Sequence, residues 1–282
     1  MSAGGSASDH GQSYLNSNGR PATTAIMVHY RRVTRKEPTV MSISCERPQR
    51  LLERITISDR PVLLVSLPRN DAELARAAVD AGAEGLKVHI NLHHAASGRS
   101  FGSWEQEGQV IADIIALGVP VGIVPGTADS MCTPDDLQRM AAAGLDFVDA
   151  YLSDMPAWML DNSTDIQVMA AVGEHDMPPH GTPEGVGLLP QVRMIEASIL
   201  GHEGYGRPLC VADLKSYAWL AEVLKPLPVI VPTQRAITPL EVTSLHKAGI
   251  RGILIGAIVT GSQPQTIVQA TSEFRLALDR LC

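Results

Sequence analysis

The chain has 282 residues, of which 45% are hydrophobic and only 4% aromatic, and its formal net charge is −7. This length suits one large domain or two small ones, and the apolar fraction is ample for an aliphatic core. Because binding to a phosphate backbone needs a basic surface, the acidic balance argues against nucleic acid as the main partner. No apolar run reaches the length of a membrane span, so we expect no membrane association and a cytoplasmic location.

Residues 1–40 are predicted to be a disordered N-terminal extension. Their first two dozen positions are rich in Gly, Ser and Asn and hold almost no apolar side chains. Such a segment cannot bury enough surface to offset the entropy lost on ordering it. We therefore place a single folded domain over residues 41–282. It is expected to begin with a helix from Arg47 to Ile55, which covers the bottom of the domain.

From Pro61 onwards the sequence repeats one pattern, in which a helix ends in Ala-Gly and an apolar strand begins two residues later. The pattern occurs around Gly82, Gly144 and Gly249. Gly directly after a helix takes the left-handed conformation that ends the helix. The helices that precede Gly144 and Gly249 also begin alike, with a Thr-Pro pair. The Thr caps the helix, and the Pro fits the first helical position. The pattern indicates an internal repeat of an αβ unit.

Eight apolar runs are predicted to be strands, and most of them alternate with helices. A series of βα units of this number and total length favours a closed (β/α)8 barrel of the α/β class; the alternative is an open doubly wound sheet. The fifth unit is irregular, because residues 174–187 are rich in Pro and Gly and show no clear helix. The predicted strands are 62–67, 86–91, 121–125, 147–151, 166–172, 192–196, 229–232 and 252–256.

The active site of such a barrel lies at the C-terminal ends of its strands, and this rule selects the candidate residues. Lys87, His89 and Asn91 alternate along the second strand and therefore share one face. If that face is the interior, the charge of Lys87 needs a partner, and Glu196 across the barrel is the natural one. The alternative is a purely structural Lys–Glu pair. The candidates at strand ends are Ser66, Lys87, His89, Asn91, Pro125, Asp149, Tyr151, Glu174, Glu196, Thr233, Gln234, Arg235 and Gly256.

The end of the chain predicts a phosphate site. An apolar strand stops at Gly256, and a short turn through Thr260 and Gly261 leads to a new helix near Pro264. Gly lets the backbone approach an anion closely, and the N–H groups of a helix N-terminus then bind it. Phosphate sites after strands seven and eight are frequent in this fold. The alternative is a plain strand-to-helix turn in which Gly serves packing only.

The segment PVIVPTQRAITPLEVTSLHKAGIRGILIGAIVTG, residues 228–261, resembles the last two βα units of the ribulose-phosphate-binding barrels. It is most similar to N-acylglucosamine-6-phosphate 2-epimerases, with thiamine-phosphate and thiazole synthases as more distant relatives. A weaker resemblance covers residues 61–90, where Gly85-Leu-Lys-Val-His resembles the second strand of the epimerases. This resemblance implies that Lys87 contacts the substrate as a cation.

The chain departs from the epimerases at two catalytic positions. They carry a catalytic Lys late in strand three, where this chain has Gly122-Ile-Val-Pro. They carry a catalytic Glu at the end of strand seven, where this chain has Pro232-Thr-Gln. The resemblance therefore implies the fold and the phosphate site, and it does not imply the epimerases' own reaction.

We predict a phosphate-binding enzyme that acts on a small phosphorylated sugar or related metabolite, by isomerisation or epimerisation through proton transfer next to a carbonyl. Glu196 would be the base, with Lys87 or His89 as acid or electrostatic stabiliser. One alternative is a carbon–carbon lyase or synthase that uses Lys87 as a Schiff-base nucleophile. Another is a barrel that binds its ligand without turnover. The predicted substrate-binding residues are Ser66, Asn91, Thr233, Gln234, Arg235, Gly256, Thr260 and Gly261.

Metal ions and cofactors are not expected. His93, His94, His175 and His180 lie on predicted loops, and no HxH or HxxxH spacing on a regular element supports a metal site. We interpret them as exposed loop residues. A small phosphorylated molecule is the expected partner, and the sequence leaves the oligomeric state open between a monomer and a homodimer.

Overall fold

The structure is a computed structural model that describes residues 49–281. These residues form a closed barrel of eight parallel strands, each paired with its neighbours in the sequence, and the last strand pairs with the first. The predicted (β/α)8 barrel is confirmed, and every predicted strand overlaps an observed one. The strands are β1 Val62–Ser66, β2 Gly85–His89, β3 Val121–Val124, β4 Phe147–Tyr151, β5 Gln167–Gly173, β6 Val192–Ser198, β7 Val229–Pro232 and β8 Gly252–Ile255.

Helices surround the barrel unevenly. The connections that follow β4 and β5 contain short 3-10 turns in place of an α-helix, over Ala157–Met159, Glu174–Asp176 and Pro183–Leu188. The irregular fifth unit is thus confirmed, whereas the missing helix after β4 was not predicted. No helix within residues 49–281 is long and apolar enough to cross a membrane. The helices are α1 Leu51–Ile57, α2 Ala72–Asp80, α3 Trp104–Ile115, α4 Pro134–Ala143, α5 Val211–Val223, α6 Val242–Lys247, α7 Ala257–Thr260 and α8 Pro264–Asp279.

The helix ends follow from local sequence. At the start of α4 the Thr133 hydroxyl accepts a hydrogen bond from the backbone N–H of Asp136, and the Asp136 carboxylate accepts one from the backbone N–H of Thr133. The glycines that follow α2, α4 and α6 have positive φ angles of 106° at Gly82, 96° at Gly144 and 86° at Gly249. These are the left-handed helix ends that the repeated Ala-Gly predicts.

Helix α1 closes the N-terminal end of the barrel. Arg50 Nε donates to Asp146 Oδ1 at 2.7 Å, and the backbone N–H of Leu51 donates to Asp146 Oδ2 at 2.8 Å, which fixes the helix below β4. Leu51 and Ile55 then complete an apolar floor inside the barrel with Val62, Leu64, Phe147, Met169, Met194, Ile230 and Leu254. The predicted leading helix is present and begins at Leu51. Its predicted first residue, Arg47, and the extension over 1–40 lie outside the described residues.

Gly122 on β3 is required by the packing of this floor. A Cβ atom at position 122 would lie 2.0 Å from the ring of Phe147, which is fully buried. We predict that Gly122→Ala lowers the free energy of unfolding by about 1–3 kcal/mol, because the buried ring would have to shift within a packed core. Urea denaturation measures this. Gly185→Ala is the control, since its Cβ would meet nothing within 4 Å, and an equal loss in both variants would contradict the prediction.

Candidate active site

Three charged side chains meet inside the barrel, toward the C-terminal ends of its strands. Lys87 on β2, Asp149 on β4 and Glu196 on β6 come from alternate strands, as the side chains of one barrel layer do. Lys87 Nζ donates hydrogen bonds to Asp149 Oδ2, at 2.8 Å, and to Glu196 Oε2. All three residues are buried, with exposed fractions of 6%, 1% and 5%. The predicted pairing of Lys87 with Glu196 is confirmed, and Asp149 joins it as a second carboxyl group.

The surroundings of Asp149 and Glu196 shift the pKa values of the two carboxyl groups in opposite directions. Burial, followed by the charge of Glu196, raises the pKa of Asp149 well above its usual value. Burial acts in the same direction on Glu196, but the charge of Lys87 and hydrogen bonds from Asp149, Lys87 and Ser198 outweigh it and lower the pKa of Glu196. Asp149 is therefore the weaker acid of the pair and Glu196 the stronger one.

One oxygen of Asp149 is left without a partner among residues 49–281. Within the described part of the chain, Asp149 Oδ1 is buried and has no hydrogen-bond partner. A protonated carboxyl group can donate a hydrogen bond from such an oxygen, whereas an ionised one cannot. The arrangement can thus accept a proton at Glu196 and donate one from Asp149, as paired carboxyl groups with separated pKa values do in proton-transfer enzymes.

Lys87 is held as an ammonium group. Burial alone would lower the pKa of Lys87, but the charges of Asp149 and Glu196 outweigh burial and raise the pKa above its usual value. A Schiff-base nucleophile has to be the neutral amine. In this arrangement Lys87 is therefore suited to balancing and stabilising negative charge.

Ser198 and Tyr151 extend the group toward the mouth of the barrel. Ser198 Oγ donates a hydrogen bond to Glu196 Oε1 at 2.7 Å, which fixes the orientation of the carboxylate. Burial raises the pKa of Tyr151 above its usual value, so its phenol stays protonated. Ser198 was not among the predicted site residues. It stands two positions after Glu196 on one strand, and the two-residue period of β6 would have placed it on the same face.

His89 lies above Lys87 in a stack of rings. The ring centroid of His89 is 4.4 Å from that of His94 and 4.9 Å from that of Phe101. Burial, with the charges of His94 and Lys87, lowers the pKa of His89 well below its usual value. Burial also lowers the pKa of His94, to about 4. Both imidazoles are therefore uncharged at neutral pH.

The four loop histidines divide into two kinds. His94 is half-buried and contacts His89, so the interpretation of it as an exposed loop residue is wrong; a small hairpin, His93–His94 with Arg99–Ser100, folds it over the barrel. His93, His175 and His180 are exposed, as predicted. Among the described residues, no group of three or more His, Cys, Asp or Glu side chains is arranged to hold a metal ion.

A cavity of about 240 Å³ opens above the charged group. The charged group and Ser198 form its base, and its upper walls include His94, Tyr151, Asp154, His202 and Tyr205. A groove of about 650 Å³ lies at the opposite end of the barrel, between α1, α5 and α6. Since barrel enzymes react at the C-terminal ends of their strands, the smaller cavity with the acid–base group is the candidate active site.

A second cavity of about 60 Å³ adjoins the first at the ends of β7 and β8, and His94 and Tyr205 line both. It brings together three of the predicted substrate-binding residues, Ser66, Thr233 and Gly256. Of the residues predicted to hold phosphate, Gly256 lines this cavity, and Thr260 and Gly261 do not. The backbone N–H of Gly256 donates to Thr233 Oγ1 at 2.9 Å. A Cβ atom on Gly256 would lie 3.6 Å from the Cβ of Ser66, so a larger side chain would begin between these two walls.

Three other predicted substrate-binding residues lie outside the lining of both cavities. Thr260 is fully buried at the end of α7, and its hydroxyl donates to the carbonyl of Gly261. Gly261 has a φ of 62° and forms the turn before α8. Asn91 also adopts a left-handed conformation, with a φ of 57°, and its side-chain amide donates to the carbonyl of Pro125.

Gln234 and Arg235 bind the loop between β6 and α5. Gln234 accepts a hydrogen bond from the backbone N–H of Leu200, and its amide nitrogen donates to the Leu200 carbonyl and, at 3.0 Å, to the hydroxyl of Tyr205. Arg235 forms a two-pronged ion pair with Asp213 of α5. Gln234 also lines the smaller cavity, whereas Arg235 lines neither. The loop that presents Tyr205 is thus tied to the end of β7.

No protein-family model and no curated protein sequence matches this chain. Solved structures are similar in fold. Thiamine phosphate pyrophosphorylase from Pyrococcus furiosus is 14% identical, with a TM-score of 0.53 over 78% of this chain and 96% of that one. Phosphoribosyl anthranilate isomerase from Thermus thermophilus is 16% identical, with a TM-score of 0.56 over 78% of this chain and 100% of that one. A 3-hexulose-6-phosphate synthase is 16% identical, with a TM-score of 0.55 over 77% and 99%.

These three names describe a pyrophosphorylase, an isomerase and a synthase, which are different reactions on one architecture. At such low identity the similarity establishes the fold alone. The resemblance to the ribulose-phosphate-binding barrels is therefore confirmed at the level of the fold, and the chain is a (β/α)8 barrel of the kind on which these enzymes are built.

Proposed function

We propose that the protein is an enzyme that moves a proton next to the carbonyl group of a small phosphorylated sugar or related metabolite, as an isomerase or epimerase. The observation that carries the proposal is the buried group of Asp149, Lys87 and Glu196 at the base of a cavity at the active end of the barrel. It holds two carboxyl groups of different acidity on one fixed cation, which suits Glu196 to the role of base and Asp149 to that of acid.

Each member of the group has a role in this reaction. Glu196 takes the proton from the carbon next to the carbonyl, so that the C–H bond breaks and a C=C bond forms. Asp149 gives its proton to the carbonyl oxygen, and the product of this step is a neutral enediol. Lys87 stabilises the negative charge that builds up on the oxygen as the C–H bond breaks. In the second half of the reaction Asp149 takes back a hydroxyl proton of the enediol while carbon is protonated, so that the C=C bond is lost and a C=O bond forms again. Protonation of the former carbonyl carbon gives an isomer, and protonation of the original carbon on its other face gives an epimer.

The smaller cavity is where we place the phosphate group. Ser66 and Thr233 supply hydroxyl groups, and the absence of a side chain at Gly256 leaves room beside them. Because this cavity adjoins the larger one, a substrate of a few carbons can reach from the phosphate to Glu196. The similarity in fold to enzymes whose names contain phosphate compounds supports this placement by analogy.

The use of Lys87 as a Schiff-base nucleophile is less well supported. Two carboxyl groups contact its ammonium group and raise its pKa, which opposes formation of the neutral amine. A reaction of that class would first have to remove one of these contacts.

Thermal-shift measurements on wild type and Gly256→Val test the proposed function. We expect phosphorylated sugars to raise the melting temperature of the wild type and their unphosphorylated forms to leave it unchanged. Gly256→Val should keep the melting temperature without ligand and lose the shift, because the valine fills the smaller cavity. Gly187→Val is the control, since a Cβ there meets nothing within 4 Å. No shift with any phosphorylated sugar would overturn the phosphate assignment.

Deuterium exchange then tests the reaction. A sugar phosphate that binds is incubated with the wild type in D₂O, and proton NMR follows the signal of the carbon next to its carbonyl. Loss of that signal at a rate proportional to enzyme concentration is the expected result. Binding without any exchange across all bound sugars would leave a ligand-binding barrel in place of an isomerase.

A further inference from the structure

We propose that the two cavities accept a substrate with one anionic group only, and that Asp154 rejects a second. This inference rests on the proposed function, because it concerns the same two cavities and names the class of substrate they take. The class is the monophosphate of an otherwise uncharged aldose or ketose. We expect the two cavities to reject sugar bisphosphates and phosphorylated sugar acids.

The smaller cavity can hold an anion with neutral hydrogen-bond donors. No residue that lines it carries a formal charge, within the part of the chain that the structure describes, once His94 is uncharged. The oxygen of Thr233 already accepts from the backbone N–H of Gly256, and that of Tyr205 accepts from Gln234. Each hydroxyl therefore has its proton free to donate to another acceptor. The cavity suits one phosphate group in its size of about 60 Å³ and in its donors.

As far as the structure describes the chain, the larger cavity offers a second anion no Lys or Arg that is free to pair with it. Lys87 is the one Lys or Arg in its lining among the described residues, and two carboxyl groups already contact it. The charge of Lys87 is balanced by Glu196, and Asp149 adds no positive charge whether it is protonated or ionised. His89 and His94 are uncharged at neutral pH because burial lowers their pKa values. A phosphate or carboxylate placed here would lose water without gaining a counter-ion.

Asp154 makes the larger cavity repel anions. It follows β4 in a turn in which its backbone N–H donates to the carbonyl of Tyr151 at 3.0 Å, and it lines the cavity. Its carboxylate accepts one hydrogen bond, from the hydroxyl of Ser153 at 3.2 Å, and forms no ion pair with a cation among residues 49–281. Its other oxygen can accept a hydrogen bond from a sugar hydroxyl. An anionic group placed near the Asp154 carboxylate is repelled and binds more weakly. Asp154 therefore favours the uncharged end of a substrate in the larger cavity over an anionic end.

Matched ligand pairs that differ by one anionic group test the proposal. The pairs are ribulose 5-phosphate with ribulose 1,5-bisphosphate, fructose 6-phosphate with fructose 1,6-bisphosphate, and glucose 6-phosphate with 6-phosphogluconate. Calorimetric titration gives their dissociation constants for wild type, Asp154→Asn and the control Asp80→Asn. Asp80 is an exposed carboxylate at the end of α2 and lies outside the lining of both cavities. Asp80→Asn therefore changes the net charge by the same amount as Asp154→Asn without changing either cavity.

We expect the monophosphate to bind at least about tenfold more tightly than its partner in every pair that binds. Asp154→Asn should narrow this ratio by about threefold or more through tighter binding of the doubly anionic member, whereas Asp80→Asn should leave it unchanged. Tighter binding of a bisphosphate or phosphorylated acid by the wild type would overturn the inference and leave the proposed function standing. An unchanged ratio in Asp154→Asn would overturn the role of Asp154. Binding of no sugar phosphate would overturn the proposed function, and this inference with it.

Discussion

Glu196→Gln should reduce the rate of deuterium exchange into a bound sugar phosphate by a factor of about 10²–10⁴, the usual contribution of a general base. The amide keeps the shape of the side chain and can still accept the hydrogen bond that Ser198 donates to Glu196. It has no basic oxygen to take the proton from carbon. Binding of the sugar phosphate should therefore change much less than the exchange rate.

The control for this variant is Glu203→Gln. Glu203 is an exposed carboxylate on the loop between β6 and α5 and lines neither cavity. Deuterium exchange catalysed by Glu203→Gln should be as fast as that catalysed by the wild type. If Glu196→Gln exchanged as fast as the control, Glu196 would be a structural partner of Lys87 and the base would have to be sought elsewhere.

Lys87→Met should have the largest effect on stability. Removing the cation leaves Asp149 and Glu196 together in the interior, where a charge without its partner costs about 3–5 kcal/mol of the free energy of unfolding. The double variant Lys87→Met/Glu196→Gln removes one charge of each sign and should regain most of this loss. Urea denaturation at neutral pH measures all three proteins. A single variant as stable as the wild type would show that the ion pair contributes nothing to stability.

The effect of Lys87→Met should also depend on pH, with a defined sign. Without the cation, burial and the neighbouring carboxyl group raise the pKa of Glu196 in the folded state above its value in the unfolded chain. Such a group contributes stability at low pH that is lost as pH rises through the folded pKa. In the wild type the pKa of Glu196 is lowered, and its contribution is lost as pH falls. The loss caused by the substitution should therefore be smaller at pH 5 than at pH 8.

Much of the barrel could be predicted because its signals are local. Strands buried on both faces appear as short apolar runs, of which Val229–Pro232 is a clear case. The start of α4 at Thr133 follows from a side chain that bonds the backbone within one turn, and its end at Gly144 follows from the left-handed conformation that Gly adopts without strain. The hairpin of His93–His94 and Arg99–Ser100 carries no such signal. It is held against the barrel by stacking of His94 on His89, which depends on contacts formed only in the folded chain.

The candidate site could be predicted only where a regular pattern along the strands determines it. The pairing of Lys87 with Glu196 could be inferred, because inward positions on alternate strands form one layer of a barrel. Asp149 stood among the candidates without a role, since its acidity depends on the distance to two residues on other strands. Arg235 is a case in which sequence position alone says little. It stands at a strand end, and its guanidinium group pairs with Asp213 of the preceding helix.

The charged layer has a consequence for the order in which the barrel folds. Lys87 meets Asp149 and Glu196 across 62 and 109 residues of sequence, so the contacts require β2, β4 and β6 to be in place together. An ammonium group that entered the core before either carboxyl group would be buried without a partner. A shift of β2 by one residue would place the Lys87 side chain on the outer face of the barrel. The three charges therefore favour late closure of the ring in its correct register, and they make an incomplete ring or a misaligned strand costly.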